Sequence, residues 1–142
     1  MSVSVIMTDD HRYCDELFAR AERALSEGAA DASEAWKLFE EAVLTHFGQE
    51  EEKLFAPLEA QMGEGGPPAV MRQEHAMMRD MMKDVRARIE AGERDSALDA
   101  ADGLMAMIQQ HNMKEEHVLY PMLDRMGADA GSLAVVSQSK EA

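Results

Sequence analysis

The chain has 142 residues, of which 46% are hydrophobic, so it is long enough to form one domain around an apolar core. Its formal net charge of −14 excludes nucleic acid and anionic membranes as partners, because the protein's own field repels phosphate. No apolar run approaches the ~20 residues of a membrane-spanning helix, no secretory leader opens the chain, and its single cysteine, Cys14, cannot form an internal disulfide. We therefore expect one cytoplasmic domain over residues 1–142.

The composition favours helices, because Ala, Leu, Met, Glu, Lys and Arg are frequent and β-branched residues are scarce in the middle of the chain. The first helix is predicted to begin near residues 8–10, after a short N-terminal arm, and to stop at Gly28. A capping box formed by Asp31 and Glu34 predicts the start of the second helix, which runs to about Gln61.

A segment rich in glycine and proline divides the chain into two predicted helical hairpins. Residues 63–68 contain three glycines and two prolines and form the predicted crossing loop. The third helix is predicted from about residue 69 to 91, and the fourth from about residue 95 to 126. Pro57 predicts a kink or an early end of the second helix, and the fourth again contains a proline, Pro121.

The apolar periodicity predicts four helices packed around a common core, with histidines on the inner faces. The predicted inner face of the fourth helix consists of Leu104, Met107, His111, Glu115, Val118, Leu119 and Met122. The sequence therefore predicts an all-α fold over about residues 9–126, followed from Ala128 by a loose or docked tail.

Two stretches of the chain, residues 46–55 and 111–120, share the pattern H-x-x-x-E-E-x-x-L-[FY]. Residues four apart lie on one face of a helix, so each copy presents an imidazole and a carboxylate together. The two pairs are His46 with Glu50 and His111 with Glu115. The second glutamates, Glu51 and Glu116, are turned about 100° away and are predicted to lie on the surface or just outside the site.

The first and third predicted helices each add one inward histidine, His11 and His75, directly after an acidic residue. Their separations from the repeated histidines are 35 and 36 residues, which indicates a duplicated helical hairpin. Carboxylates on core faces are costly unless they are paired or coordinated, and few inward cationic side chains are available. Four imidazoles and two carboxylates without a thiolate pair favour two bridged iron or manganese ions over zinc.

In order and spacing, these six residues resemble the ligand pattern of the hemerythrin-like (HHE cation-binding) domain family over about residues 9–126. The resemblance implies an antiparallel up-down-up-down four-helix bundle with a non-haem di-iron centre and an oxo, hydroxo or water bridge. It implies that Glu50 and Glu115 bridge the two irons, one bound by His11 and His46 and the other by His75 and His111. The implied metal ligands are His11, His46, Glu50, His75, His111 and Glu115.

One departure from the oxygen-carrying members of that family affects the expected function. Arg79 occupies the place of their fifth histidine, and Glu115 follows its histidine by four residues instead of five. Arginine cannot coordinate iron, so more positions would be open to O2, NO or peroxide. Arg79 is predicted either to orient a bound anion or bond a bridging carboxylate, or to be a surface residue that pairs with a neighbour on its helix.

The resulting prediction is gas binding or sensing, or a role in oxidative stress, with a small diatomic ligand or peroxide as the partner. The alternatives are a small di-iron oxidoreductase or peroxidase, and an iron donor for iron–sulfur cluster repair. Whether the protein is an enzyme stays open. Ferritin-type chemistry is disfavoured because no histidine has a glutamate three residues before it.

Several other side chains near the predicted site are interpreted as packing or surface groups. Most of the 13 methionines are predicted to fill the core, not to bind copper. Cys14 is predicted to be a buried, inert thiol, with a redox-sensitive neighbour of His11 as the alternative. Tyr120 is predicted to pack, with a hydrogen-bond donor near the pocket as the alternative. Asp15 is predicted to lie outside the site or in solvent, and His117 to point away from it.

Overall fold

The structure is a computed structural model that describes residues 1–140, and all of the regular structure in that range is helical. The prediction of an all-α fold is therefore confirmed. In chain order the elements are α1 (Val3–Ser26), α2 (Ala32–Gln49), a first π-helical segment (Glu50–Phe55), α3 (Ala56–Met62), α4 (Pro67–Glu90), α5 (Arg94–Lys114), a second π-helical segment (Glu115–Leu119), α6 (Tyr120–Arg125), a 3₁₀ turn (Ala130–Ser132) and α7 (Val136–Lys140). Residues 141 and 142, the end of the predicted tail, lie outside the described residues.

The long helices bury two large apolar clusters, with the histidines between them, and a third, small cluster of Leu25, Ala32 and Ala97. α1 and α4 each contact both α2 and α5. One cluster is built around Trp36 and Phe39, and the other around Phe55 and Leu123. On each of the four helices the histidine lies along the chain between residues of the two clusters. None of the helices within residues 1–140 is long and apolar enough to cross a membrane.

The first helix begins at Val3, several residues before the predicted start, so the expected N-terminal arm is instead a turn of helix. The side chain of Ser2 caps this end by accepting the N–H of Val5 at 3.1 Å. Val3 and Met7 are fully buried in the cluster around Phe55, which explains why the helix extends past the predicted boundary.

Replacing Asp124 with alanine is expected to destabilise the fold by about 1 kcal/mol, the usual cost of losing a helix-capping acceptor. The Asp124 carboxylate accepts the free backbone N–H groups of Val3 and Ser4 at 2.8 and 3.1 Å and so ties α6 to the start of α1. Urea denaturation measures the change, and Asp99→Ala, at an exposed aspartate, serves as the control.

The contribution of Asp124 is also expected to depend on pH. Burial raises the pKa of this carboxyl, but the bonds from Ser4 and Val3 outweigh burial and hold it below the usual value. A lowered folded-state pKa gives stability that is present above the unfolded value of about 4 and is lost as the pH falls through the folded value. The difference between parent and Asp124→Ala should therefore shrink below about pH 4; a constant difference would contradict this role.

Two predicted boundaries need small corrections. α2 begins directly after Asp31, as predicted, but the Asp31 side chain makes no capping bond, because its backbone (ψ 13°) is not in the extended region that capping requires. The loop between the hairpins is limited to residues 63–66. Pro67 and Pro68 instead occupy the first turn of α4, where the missing N–H of proline costs nothing.

The repeated motif forms two π-helical segments that continue α2 and α5. The N–H of Ala56 bonds to the carbonyl of Glu51, and the N–H of Tyr120 bonds to that of Glu115, in each case five residues back. A proline occupies the second position after each segment. Since a proline has no N–H and its ring clashes with the carbonyl four residues back, the wider π turn accommodates each one.

The second π segment changes which side chains face the interior. An uninterrupted α-helix places Val118 inside, but the structure leaves that side chain 61% exposed, so this prediction is wrong. Leu119 is buried as predicted, but Tyr120 and Leu123 are buried as well, while Met122, predicted to face inward, is only partly buried. The shift follows from the extra residue in a π turn.

The tail is docked, which decides between the two predicted alternatives. α7 packs against α1. One backbone N–H group just before α7 and one within it each donate a hydrogen bond to a side chain of another helix. The N–H of Ala134 donates to the Gln49 side chain at 2.9 Å, and that of Ser137 donates to the buried carboxylate of Asp10 at 3.1 Å. The tail therefore contacts Asp10, which is itself a neighbour of a site histidine.

Candidate metal centre

The six predicted ligands lie together in the interior, and each is at most 4% exposed. They form two overlapping groups in which one donor atom from each residue lies within 4.8 Å of the others. Both groups contain the two glutamates, and each adds two histidines. The groups are His11, His46, Glu50 and Glu115, and Glu50, His75, His111 and Glu115. The structure thus brings all six residues together in the arrangement that a pair of shared carboxylates requires.

Each site histidine is bonded through its Nδ1 atom to a carboxylate on the outer side of the cluster. A histidine that donates its Nδ1–H keeps the Nε2 lone pair free for a metal, and the carboxylate fixes the orientation of the ring. The four pairs are His11 with Glu116 at 2.6 Å, His46 with Asp10 at 2.6 Å, His75 with Glu51 at 2.7 Å, and His111 with Glu74 at 2.8 Å.

These outer carboxylates follow the duplication of the chain. Asp10 and Glu74, each directly before a histidine, bond to the other histidine of their own hairpin. Glu51 and Glu116, the second glutamates of the repeated motif, reach across to a histidine of the opposite hairpin. The sequence left open whether Glu51 and Glu116 lie on the surface or just outside the site. The structure places both glutamates just outside it.

Two inner carboxylate oxygens show that the site is suited to a cation. Oε1 of Glu50 and Oε2 of Glu115 are fully buried and have no hydrogen-bond partner among the described residues. Glu50 Oε1 lies 3.1 Å from His75 Nε2, and Glu115 Oε2 lies 3.2 Å from His111 Nε2. A buried charged oxygen without a partner costs several kcal/mol unless it is coordinated. Oxygen and imidazole donors with no sulfur among them match hard or borderline metals.

The electrostatics of the cluster favour positive charge between the rings. Burial lowers the pKa of His46, but Glu50 and Asp10 outweigh burial and raise it well above its usual value. Burial likewise lowers the pKa of His111, yet Glu115 and Glu50 raise it to about 9. Conversely, burial raises the pKa of Glu50, but His46 and its other partners hold it well below its usual value. The Glu50 carboxylate thus stays ionised in the interior, where a metal cation would neutralise it.

Tyr120 is in direct contact with the site, which agrees with the predicted alternative of a hydrogen-bond donor and not with packing alone. Its hydroxyl donates to Glu50 Oε2 at 2.5 Å. The hydroxyl oxygen of Tyr120 also lies 3.0 Å from Glu115 Oε1, 3.1 Å from His11 Nε2 and 3.3 Å from His46 Nε2. Burial and the two carboxylates raise the pKa of the phenol well above its usual value. The π segment causes this contact, because it brings the fifth residue after Glu115 back over that glutamate.

Arg79 contacts the site through Glu51. Its guanidinium forms two bonds to the Glu51 carboxylate, at 2.9 and 3.0 Å, and lies over the ring of Phe47. Phe47 in turn stacks on His75, with ring centroids 3.9 Å apart. Burial raises the pKa of Glu51, but His75 and Arg79 lower it to about 2. Arg79 therefore bonds neither bridging candidate nor a neighbour on its own helix; it holds the carboxylate that orients His75.

The other side chains considered near the site behave largely as predicted. Cys14 is buried and burial raises the pKa of its thiol, in agreement with an inert cysteine. His117 is exposed and takes no part in the cluster. Asp15 lies outside the site and accepts a bond from Gln109 at 3.3 Å.

A small cavity adjoins one half of the cluster. Its volume is about 20 Å³, somewhat more than one water molecule needs. The lining is mostly apolar and includes the two histidines of one metal group: His11, Cys14, Val43, His46, Phe47, Ile108 and Asn112. On the other half, Phe47 and Phe55 both lie against the ring of His75. The interior space therefore favours access to the His11 and His46 side.

An all-helical chain with buried, carboxylate-linked histidine pairs belongs to the class of helical proteins whose core can hold a metal centre. The family model of the hemerythrin HHE cation binding domain matches residues 2–123, and the chain belongs to this family. The match includes the first turn of α1 and all six site residues. No curated protein and no solved structure matches the chain.

Proposed function

We propose that this protein is a non-haem di-iron protein that binds or reacts with O2, NO or peroxide, in gas binding, sensing or the response to oxidative stress. The observation that supports the proposal most strongly is the convergence of four imidazole Nε2 atoms and two partnerless carboxylate oxygens in the interior. In this proposal His11 and His46 hold one ion, and His75 and His111 hold the other. Glu50 and Glu115 bridge the two ions, with an oxo, hydroxo or water bridge beside them.

The proposal extends to the architecture and the partners. The contacts among the long helices support an antiparallel up-down-up-down four-helix bundle within a single domain. The net charge of −14 supports a small molecule over nucleic acid as the partner. The cytoplasmic location remains a prediction.

Bound iron would supply redox-active positions that accept a small oxygen- or nitrogen-containing ligand. The residues of the chain provide the rest. The outer carboxylates orient the four rings, and Phe47 and Phe55 exclude water from the His75 side. Because a cavity lies beside His11 and His46, whereas Phe47 and Phe55 lie against the ring of His75, we place the exogenous ligand on the His11 and His46 side.

Substituting Val43, which lines this cavity, with leucine is expected to slow NO binding without reducing the iron content. The added methylene fills part of the cavity of about 20 Å³, and Val43 itself is not one of the six candidate ligands. A tenfold slower association is expected, which corresponds to about 1.4 kcal/mol in the barrier. Stopped-flow absorbance of the anaerobic ferrous protein mixed with NO measures the rate.

The parent protein and the cavity variant also test the proposal as a whole. Iron analysis after anaerobic loading should give about two equivalents per chain, and the ferrous protein should change its spectrum with NO or O2. A parent chain that binds no iron would overturn the di-iron proposal. Equal association rates in parent and Val43→Leu would overturn the assignment of the cavity as the ligand's route. Turnover of added peroxide would identify the oxidoreductase alternative, whereas a reversible oxygen adduct would identify a binding protein.

A further inference from the structure

The two halves of the metal centre differ at one position of the repeated motif. The last residue of the motif is phenylalanine in the first copy, Phe55, and tyrosine in the second, Tyr120. Both rings occupy equivalent places: Phe55 lies 5.5 Å from the ring of His75, and Tyr120 lies 5.6 Å from that of His11. The duplication therefore supplies a hydroxyl oxygen to one metal position only.

The hydroxyl oxygen of Tyr120 is surrounded by donor atoms of that position. Two carboxylate oxygens and two imidazole nitrogens lie 2.5 to 3.3 Å away, from Glu50, Glu115, His11 and His46. Neighbouring ligands around an octahedral ion with bonds of about 2.1 Å are roughly 3 Å apart, which matches this spacing. The phenol has only one proton to donate, so it cannot satisfy both carboxylates by itself.

We propose that Tyr120 is a ligand of the metal held by His11 and His46, and that this ligand makes the two metal positions inequivalent. The inference rests on the proposed di-iron function. On binding, the phenol O–H bond breaks, an oxygen–metal bond forms, and the proton is released to bulk water; no electron is transferred. Metal coordination deprotonates acidic ligands that stay protonated without it, and tyrosine oxygen is an established iron ligand in proteins.

The anionic oxygen gives this position a consequence for reactivity. A phenolate is a hard donor, so it stabilises the ferric state of the His11 and His46 position relative to the other one. Tyr120 does not line the cavity of about 20 Å³, so coordination of its oxygen leaves the route for an exogenous ligand free. The two histidines, the two glutamates, the solvent-derived bridge and the phenolate would fill six positions on this metal, so an exogenous ligand that enters through the cavity would have to replace the oxo, hydroxo or water bridge.

Ferric spectra of three proteins test the proposal, because the chain contains only two tyrosines. The parent, Tyr120→Phe and the matched control Tyr13→Phe are loaded with iron, analysed for metal content and oxidised. Parent and Tyr13→Phe should show a visible phenolate-to-iron charge-transfer band, with tyrosine ring modes enhanced in the resonance Raman spectrum. Tyr120→Phe should lose the band while it retains its iron, and its ferric/ferrous potential should rise.

The possible failures are distinguishable. A parent that binds about two irons but shows neither band nor ring modes overturns the tyrosine ligand and leaves the di-iron proposal intact. A parent that binds no iron overturns both. If Tyr120→Phe does not fold, Tyr13→Phe still decides, because Tyr120 is then the only tyrosine in the chain. A band that disappears in Tyr13→Phe also contradicts the assignment.

Discussion

Replacing Glu115 with alanine is expected to reduce the bound iron from about two equivalents per chain to about one or fewer. Glu115 has donor oxygens in both candidate groups, so its loss removes an inner ligand from each position at once. Removing the carboxylate also leaves the nearby histidines without the negative charge that favours a cation between them. Metal analysis of protein loaded anaerobically and desalted measures the change.

The motif itself provides the controls for this experiment. Glu50→Ala should have the same effect, because Glu50 is also shared by both groups. Glu52→Ala removes an exposed carboxylate from the same π segment as Glu50 and should leave the iron content unchanged. Two irons retained by Glu115→Ala would show that this glutamate does not bridge. Loss of iron in Glu52→Ala would point instead to a general effect of charge.

The helices and the six inner residues could be predicted because both leave a local signal in the sequence. Caps, glycines and prolines mark most helix ends within a few residues. The imidazole and carboxylate of each repeated motif share a face at a spacing of four, whatever the tertiary structure does. His11 and His75 then follow from the repeated separation and from their places on apolar faces.

The π segments could not be predicted, because one additional residue in a turn has no signature in a pattern read at a period of 3.6. On an α-helix, the fifth residue after Glu115 is rotated by about 140°, so Tyr120 is expected on another face. In the π turn it comes back over Glu115, and Val118 is moved into solvent. The prolines after both motifs were a signal of irregular backbone, but they did not specify its kind.

The outer carboxylates illustrate a second limit. Glu51 and Glu116 bond to histidines of the opposite hairpin, so their roles depend on how the hairpins are rotated against each other. That rotation is set by packing across the whole core and not by local spacing. The position of Asp124, which holds the start of α1 from the far end of the chain, is non-local in the same way.

Removing the metal is expected to lower the midpoint of thermal unfolding by roughly 10 °C. An ion present at about 1,000 times its dissociation constant stabilises the folded state by about 4 kcal/mol, and each kcal/mol moves the midpoint by roughly 2–4 °C in a chain near this size. The structure gives the reason, since chelation leaves the carboxyl groups of Glu50 and Glu115 fully buried, each with one oxygen that has no partner among the described residues. Circular dichroism melts of loaded and chelated protein measure the shift.

A double variant separates this effect from a general weakening of the fold. Glu50→Gln with Glu115→Gln replaces both buried carboxylates with neutral amides of nearly the same shape, so the metal-free form no longer holds two buried acidic groups whose inner oxygens lack a partner. The same change removes the anionic bridge, and iron should then raise the midpoint by a small fraction of the parent's shift. If chelation leaves the parent's midpoint unchanged, the buried glutamates are satisfied without a cation, and the central premise of the metal centre is wrong.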